Sequence, residues 1–237
     1  MSYQRRHRQA GFTIVELMIS LTVLSILLII AAAVLTHIGG LYQKGLNQSN
    51  VQDDSRGITS QIGQDLQLGP AASFAASTSY RGIGNYQEGV FCINGLRYTY
   101  VLGQVVDATH HGVWRDQPSG GCTTDVASMP TMTGAAAPSA SGSELLNNNE
   151  RLTKLTITKT PINASDNLFA ISVGIAYGPD DLLCDSGTPN DCKHTPTNST
   201  HIWNPTAPVS QVTCRGNVGD QFCATSYLTV TVENRVD

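Results

Sequence analysis

Between Phe12 and Leu35 apolar side chains occur on every side of the helix that can be drawn through them, and Glu16 is the only charge. A run of this length can cross a hydrocarbon core of ~30 Å at ~1.5 Å per residue, so residues 12–35 are expected to form a transmembrane or filament-core helix. The pattern then changes. Val51, Ile58, Ile62 and Leu66 recur at offsets of 7, 4 and 4 with polar residues between them, which is a stripe on one helical face. The helix is therefore expected to continue through an amphipathic half, residues 36–69, and to stop at Leu68, because Gly69 and Pro70 form a terminator pair. The 57 residues from Phe12 to Leu68 would make a rod of ~85 Å.

Beyond Pro70 the period shifts from helical to alternating. Strands are expected over Leu96 to Leu102, Leu152 to Lys159, Leu168 to Tyr177 and Tyr227 to Val236. Phe169, Ile171, Val173 and Ile175 share one face of the third, and Leu228, Val230 and Val232 share one face of the last. Residues 128–143, rich in Ala, Ser, Thr, Pro and Gly, read as a mobile surface loop. The fold class that follows is α+β. A long N-terminal helix, membrane-spanning in its first half and amphipathic in its second, packs on an antiparallel β-sheet head formed by residues 70–237.

Composition agrees with a turn-rich β domain, at 6% aromatic and 14% charged residues. The net charge of −4 hides an asymmetry, since Arg5, Arg6 and Arg8 all precede the apolar run. A chain without residues 1–11 keeps 11 basic against 18 acidic residues, a net of −7, which argues against a broad nucleic-acid surface. The arginines are expected to remain cytoplasmic, placing everything after about Thr36 outside. All six cysteines, Cys92, Cys122, Cys184, Cys192, Cys214 and Cys223, lie on that outer side. An even count in an exported domain reads as disulfides. Many pairings are open, and proximity in sequence favours Cys184 with Cys192 and Cys214 with Cys223, leaving Cys92 with Cys122.

Two plain readings of the N-terminus fit less well. A secretory signal has a shorter apolar core with its cleavage site after it. An ordinary anchor gives no reason for a carboxylate at Glu16, where charge is costly unless paired. Residues Gly11 to Ile19 read GFTIVELMI after a short basic leader, and in this the chain resembles the type IV pilin and pseudopilin superfamily. The resemblance implies removal of residues 1–11 by a prepilin peptidase cutting between Gly11 and Phe12, N-methylation of Phe12, and a role for Glu16 in assembly and axial register. It also implies other pilin subunits and an inner-membrane assembly platform as partners. Physically, an amine at Phe12 and the Glu16 carboxylate of a neighbour would each supply the partner that a charge away from water requires. The segment Ile58 to Leu68, ITSQIGQDLQL, is similar to the helix end of W-type minor pilins and J-type minor pseudopilins. The chain departs from many major pilins in having no proline between Phe12 and Gly69. Gly39 and Gly40 are the alternative weak points in the helix.

Other candidate chemistry is sparse. Asp180, Asp181, Asp185 and Asp191 flank or fill the Cys184 to Cys192 loop and could supply oxygens to calcium, which takes about 6 to 8 of them. Such residues are equally good turn formers, and no other cofactor is expected. His110, His111, His194 and His201 have no zinc spacing, and no GxSxG, HExxH or P-loop pattern occurs, so no catalytic residue is expected. Trp114 and Trp203 sit among Gly and Pro, where buried loop anchors are commoner than exposed partner contacts. Asn47, Asn163 and Asn198 begin glycosylation-type triplets.

The reading that joins these observations is a minor pilin that initiates, caps or functionalises a type IV pilus. It begins as a single-pass membrane protein with its head outside the cytoplasm and ends in the extracellular filament. The alternatives are a minor pseudopilin of a type II secretion system and, from another class, a membrane-anchored adhesin that never polymerises.

Overall fold

The computed structural model describes residues 12–70, 73–83, 86–161, 167–179, 182–184, 212–214 and 219–234. Helix α1 runs without a break from Ile14 to Leu68. The chain divides into two compact units, with the boundary between Tyr42 and Gln43 rather than at the end of the apolar run.

In the first unit α1 is apolar all round and exposed all round, from Phe12 at 77% of its full exposure onward. Its few hydroxyls bond back to the helix's own carbonyls: Ser20 to Leu17 at 2.9 Å, Thr22 to Ile19 at 2.8 Å, Ser25 to Leu21 at 2.8 Å and Thr36 to Ala33 at 2.9 Å. These four hydroxyls are thus satisfied within the helix, as an apolar environment demands. Gly39 and Gly40 lie inside the helix and do not interrupt it.

In the second unit the stripe Val51, Ile58, Ile62 and Leu66 is fully withdrawn from solvent. The strands of the head include β1 (Ala75–Ala76), β2 (Arg81–Ile83), β3 (Tyr86–Ile93), β4 (Leu96–Leu102), β5 (Val113–Asp116), β6 (Ser143–Glu144), β7 (Glu150–Pro161), β8 (Asn167–Tyr177) and β11 (Ala224–Asn234), and the stripe packs in one core with side chains of β3, β4, β5, β7, β8 and β11. These nine strands form one sheet along the path β1-β3-β4-β7-β8-β11, with β2 on β3, β5 on β4 and β6 on β5. A separate pair joins β9 (Leu183–Cys184) to β10 (Thr213–Cys214). All pairings in the large sheet are antiparallel except one. β4 and β7 pair in parallel at Leu102 and Leu152, so the sheet is mixed, and just beyond β4 an antiparallel bridge from Val105 to Arg151 adds to that junction. A chain that leaves β4 and returns after the long excursion of β5 and β6 re-enters beside it in the same direction, which alternation along single strands does not reveal.

Two expectations are corrected in the head. Residues 128–143 are not simply a surface loop, because Met129 is buried and Met132 is 0% exposed beneath it. Trp114 lies in strand β5, not in a loop, and is buried against Val101 and Met132. The register explains both. Glu88, Val90 and Cys92 of β3, Arg97, Thr99 and Val101 of β4, and Trp114 and Asp116 of β5 share the sheet face away from α1, and the segment after β5 covers that face. It is held by the Cys92–Cys122 disulfide, by Arg81 donating to the carbonyls of Val126 (3.3 Å), Met129 (3.3 Å) and Pro130 (3.1 Å), and by Trp114 Nε1 donating to Ser139 Oγ at 3.0 Å. Beneath it Arg97 makes a bidentate pair with Asp116 at 2.9 and 2.6 Å, and Arg81 pairs with Glu88, whose carboxyl burial pushes above the usual carboxylate range.

The opposite face is aromatic and apolar and receives the helix. Phe91 stacks on Tyr98 with ring centroids 4.8 Å apart. Asp65 of α1 accepts from the Tyr98 hydroxyl and from Arg115 Nε at 3.0 Å, fixing the helix over β4 and β5. Strand β11 runs parallel to α1 and is tied to it at both ends. Asn47 Nδ2 donates to the Gln221 carbonyl at 3.1 Å and Gln48 Nε2 to that of Thr225 at 3.0 Å; at the far end Asn234 Nδ2 donates to the carbonyls of Leu66 and Gly69. The spans agree, since 18 helical residues and 9 strand residues each cover about 30 Å. Gly63 permits the close approach: a Cβ there would lie 3.3 Å from Val232 Cγ2.

Candidate assembly site

The N-terminal end of α1 is built from three residues. Thr13 is the residue before the first helical one, Ile14, and its carbonyl accepts the first helical bond, from the Leu17 N–H at 3.2 Å. The Glu16 N–H donates to Thr13 Oγ1 at 3.3 Å, while Glu16 Oε2 accepts from the Thr13 N–H at 3.5 Å and from its hydroxyl at 3.4 Å. This reciprocal arrangement is a capping box, the sequence Thr-x-x-Glu satisfying otherwise orphaned N–H groups. The same carboxylate lies where the helix dipole favours negative charge. Sequence reading singled out Glu16 for its charge and missed the cap, although the signal Thr13-x-x-Glu16 was present.

Chemically, the site offers one exposed carboxylate within a helix surface that is otherwise apolar, the next formal charge along the chain being Lys44. The cap orients it back toward the chain's N-terminal end, beside Phe12. In water such a carboxylate is content. Against other apolar helices it would need a cation or a strong donor.

That pattern has a known counterpart. Residues 6–32 match the prokaryotic N-terminal methylation motif. Compared with curated proteins and with solved structures, the chain has no significant match. The motif, with the long apolar helix and the disulfide-bearing α+β head behind it, supports a type IV pilin-like or pseudopilin-like protein. In pilin-like chains this motif implies processing by a peptidase, assembly with pilin-type subunits and a structural role in place of a catalytic one. The apolar helix near the N-terminus fits membrane anchoring.

The other candidate residues are scattered. Gly11, Asp180, Asp181, Asp185, Asp191, Cys192, His194, His201, Trp203, Asn163 and Asn198 lie outside the described residues. Disulfides join Cys92 to Cys122 and Cys214 to Cys223. Cys184 is also disulfide-bonded, and its expected pairing with Cys192 falls outside the described residues. The two described histidines of the zinc inventory point to different partners: His110 Nδ1 lies 2.9 Å from Asp107 and His111 Nδ1 3.5 Å from Glu144. Asn47 is 5% exposed and bonded to the head, so its triplet presents no accessible acceptor.

Proposed function

We propose that the chain is a minor pilin, a low-copy structural subunit of a type IV pilus. The observation that carries this reading is a lone, capped carboxylate at Glu16 on an exposed apolar helix that begins directly after the Gly11–Phe12 junction. The leader is removed at that junction by the prepilin peptidase and the new amine of Phe12 is methylated. Before assembly the helix spans the cytoplasmic membrane with the head outside; afterwards it packs among the helices of other pilin subunits, delivered by the inner-membrane platform. There Glu16 exchanges its capping partners for the Phe12 amine of a neighbour, which sets the axial register. The minor role is supported by the head, whose pinned cover over residues 117–143 gives it an irregular outer surface suited to an end or a special position in a filament. The role calls for no catalytic group and no cofactor.

Two measurements test this. Intact mass and N-terminal sequencing of the protein from its native membrane should find a chain starting at methylated Phe12; retention of Met1 to Gly11 returns it to an ordinary anchor. Quantitative peptide mass spectrometry of purified filaments should find it at far lower copy than the principal subunit. A copy number equal to that subunit's would overturn the minor role, and presence only in a short secretion-linked fibre would make it a pseudopilin.

A further inference from the structure

Strand β11 ends the strand order of the large sheet and is paired with β8 from Ala224 to Asn234 in unbroken register. Among the described residues no other strand pairs with it. Alternation fixes which residues turn their backbone outward. The carbonyls of Glu150 and Leu152 on β7 face away from β8, toward Val106 and Gly103, so Arg151 faces its partner Ala176. Ala176 in turn faces away from Thr225, whose carbonyl meets Gln48 of α1. By the same parity Tyr227, Thr229 and Thr231 present both N–H and C=O on the outer edge.

An exposed regular edge is normally blunted by lysine, proline or a bulge. From Ser226 to Val232 the sequence SYLTVTV has none of these. Beside the edge runs a groove of about 420 Å³, walled by Ser60, Gln64 and Gln67 of α1 and by Leu228, Val230 and Val232. Among the described residues these outward donors and acceptors have no backbone partner, and an edge that presents them at every second residue is complemented by an extended strand, whose alternate side chains would enter the groove.

Resting on the minor-pilin reading, we propose that this edge is a docking site for an extended strand from the head of a neighbouring pilin-type subunit. The orientation supports that source. β11 runs alongside α1, so a neighbour packing its own helix on the free side of α1 at the usual ~8–10 Å holds its head within reach of the edge. The added strand continues the β7-β8-β11 half of the sheet and covers Leu228 and Val230.

The experiment uses the full-length chain in its native host. Thr231→Pro removes an outward N–H without touching the β8 ladder, whereas Thr231→Val keeps it. Both variants should be processed at Phe12 and melt close to the unaltered protein. Incorporation of Thr231→Pro into filaments should fall about tenfold or more, with Thr231→Val unchanged. In hydrogen exchange the amides of Tyr227, Thr229 and Thr231 should be open in the detergent-solubilised chain and protected in the filament. Normal incorporation of Thr231→Pro, equal loss with Thr231→Val, or protection of these amides before assembly would each overturn the proposal. Absence of the unaltered chain from any filament would instead sink the minor-pilin reading itself.

Discussion

One helix serves two different environments in this protein. Up to Tyr42 every large apolar side chain of α1 is exposed, while beyond Gln43 four of them, Val51, Ile58, Ile62 and Leu66, form a buried stripe and only Leu46 and Leu68 stay exposed. Backbone geometry is the same in both stretches, and so are the local means of satisfying hydroxyls: Ser55 and Thr59 bond back to Val51 and Ser55 at 2.8 and 2.6 Å, as Ser20 and Ser25 do in the first unit. What differs is angular distribution. A helix apolar on all sides can be covered only by lipid or by several other helices, whereas one with a single apolar stripe is covered by its own domain. The first stretch takes its stability from its surroundings, the second from the head.

The contrast breaks most strongly at Glu16. Glu16→Gln preserves the capping box, since glutamine serves at that position, but removes the charge. If the carboxylate pairs with a neighbour's amine, incorporation into filaments should fall by about a hundredfold or more, in line with the ~3 to 5 kcal/mol of a broken buried pair, with the head's melting temperature unchanged. Wild-type incorporation would mean that Glu16 acts through the cap alone.

Ile62→Ala probes the second stretch. With Ile62 0% exposed, it should destabilise the head by about 2 to 5 kcal/mol in chemical denaturation, whereas Ile26→Ala in the first should leave the head's unfolding curve unmoved.

A smaller effect is expected from pH. Glu150, 1% exposed at the start of β7, is pushed up to about 8, chiefly by burial and then by its hydrogen bond to Asp54 of α1. Its folded form holds the proton more tightly than the unfolded chain does, so the stabilisation is complete below pH ~4.5 and is lost as pH rises toward 8. Thermal melts should show stability falling on the order of 1 to 4 kcal/mol across that window, and Glu150→Gln should flatten the slope. Smallest of all, Asn234→Ala removes the donors to the Leu66 and Gly69 carbonyls and should cost about 1 to 2 kcal/mol, with faster amide exchange confined to the last turn of α1.

The legibility of the sequence tracks the range of the interactions involved. The helix stop at Leu68, the stripe, strand β4 at both ends and the cores of β7, β8 and β11 were readable because each depends on a local period or a terminator pair. Strand β3 was missed: from Glu88 to Ile93 it is buried on both faces, so it shows no alternation, and Glu88 and Gly89 interrupt the apolar run that a doubly buried strand would otherwise display. Glu88 is tolerated there only because Arg81 lies against it, and Gly89 because the Tyr100 ring occupies the space a Cβ would need. At the N-terminus the motif gave Glu16 its place, while the cap that orients it was equally legible in Thr13-x-x-Glu16 and was overlooked.

The sequence by itself determined the membrane-competent helix, its amphipathic continuation, the α+β class and the pilin-like start, since each is written in spacing along one segment. Only the tertiary structure decided the single parallel contact between β4 and β7, the cover over the outer face of the sheet, the Asp65–Tyr98–Arg115 lock and the place of β11 at the end of the described sheet path, running along α1. These join residues distant in sequence, and no local period records which distant partner will satisfy a buried charge or leave a strand edge unpaired.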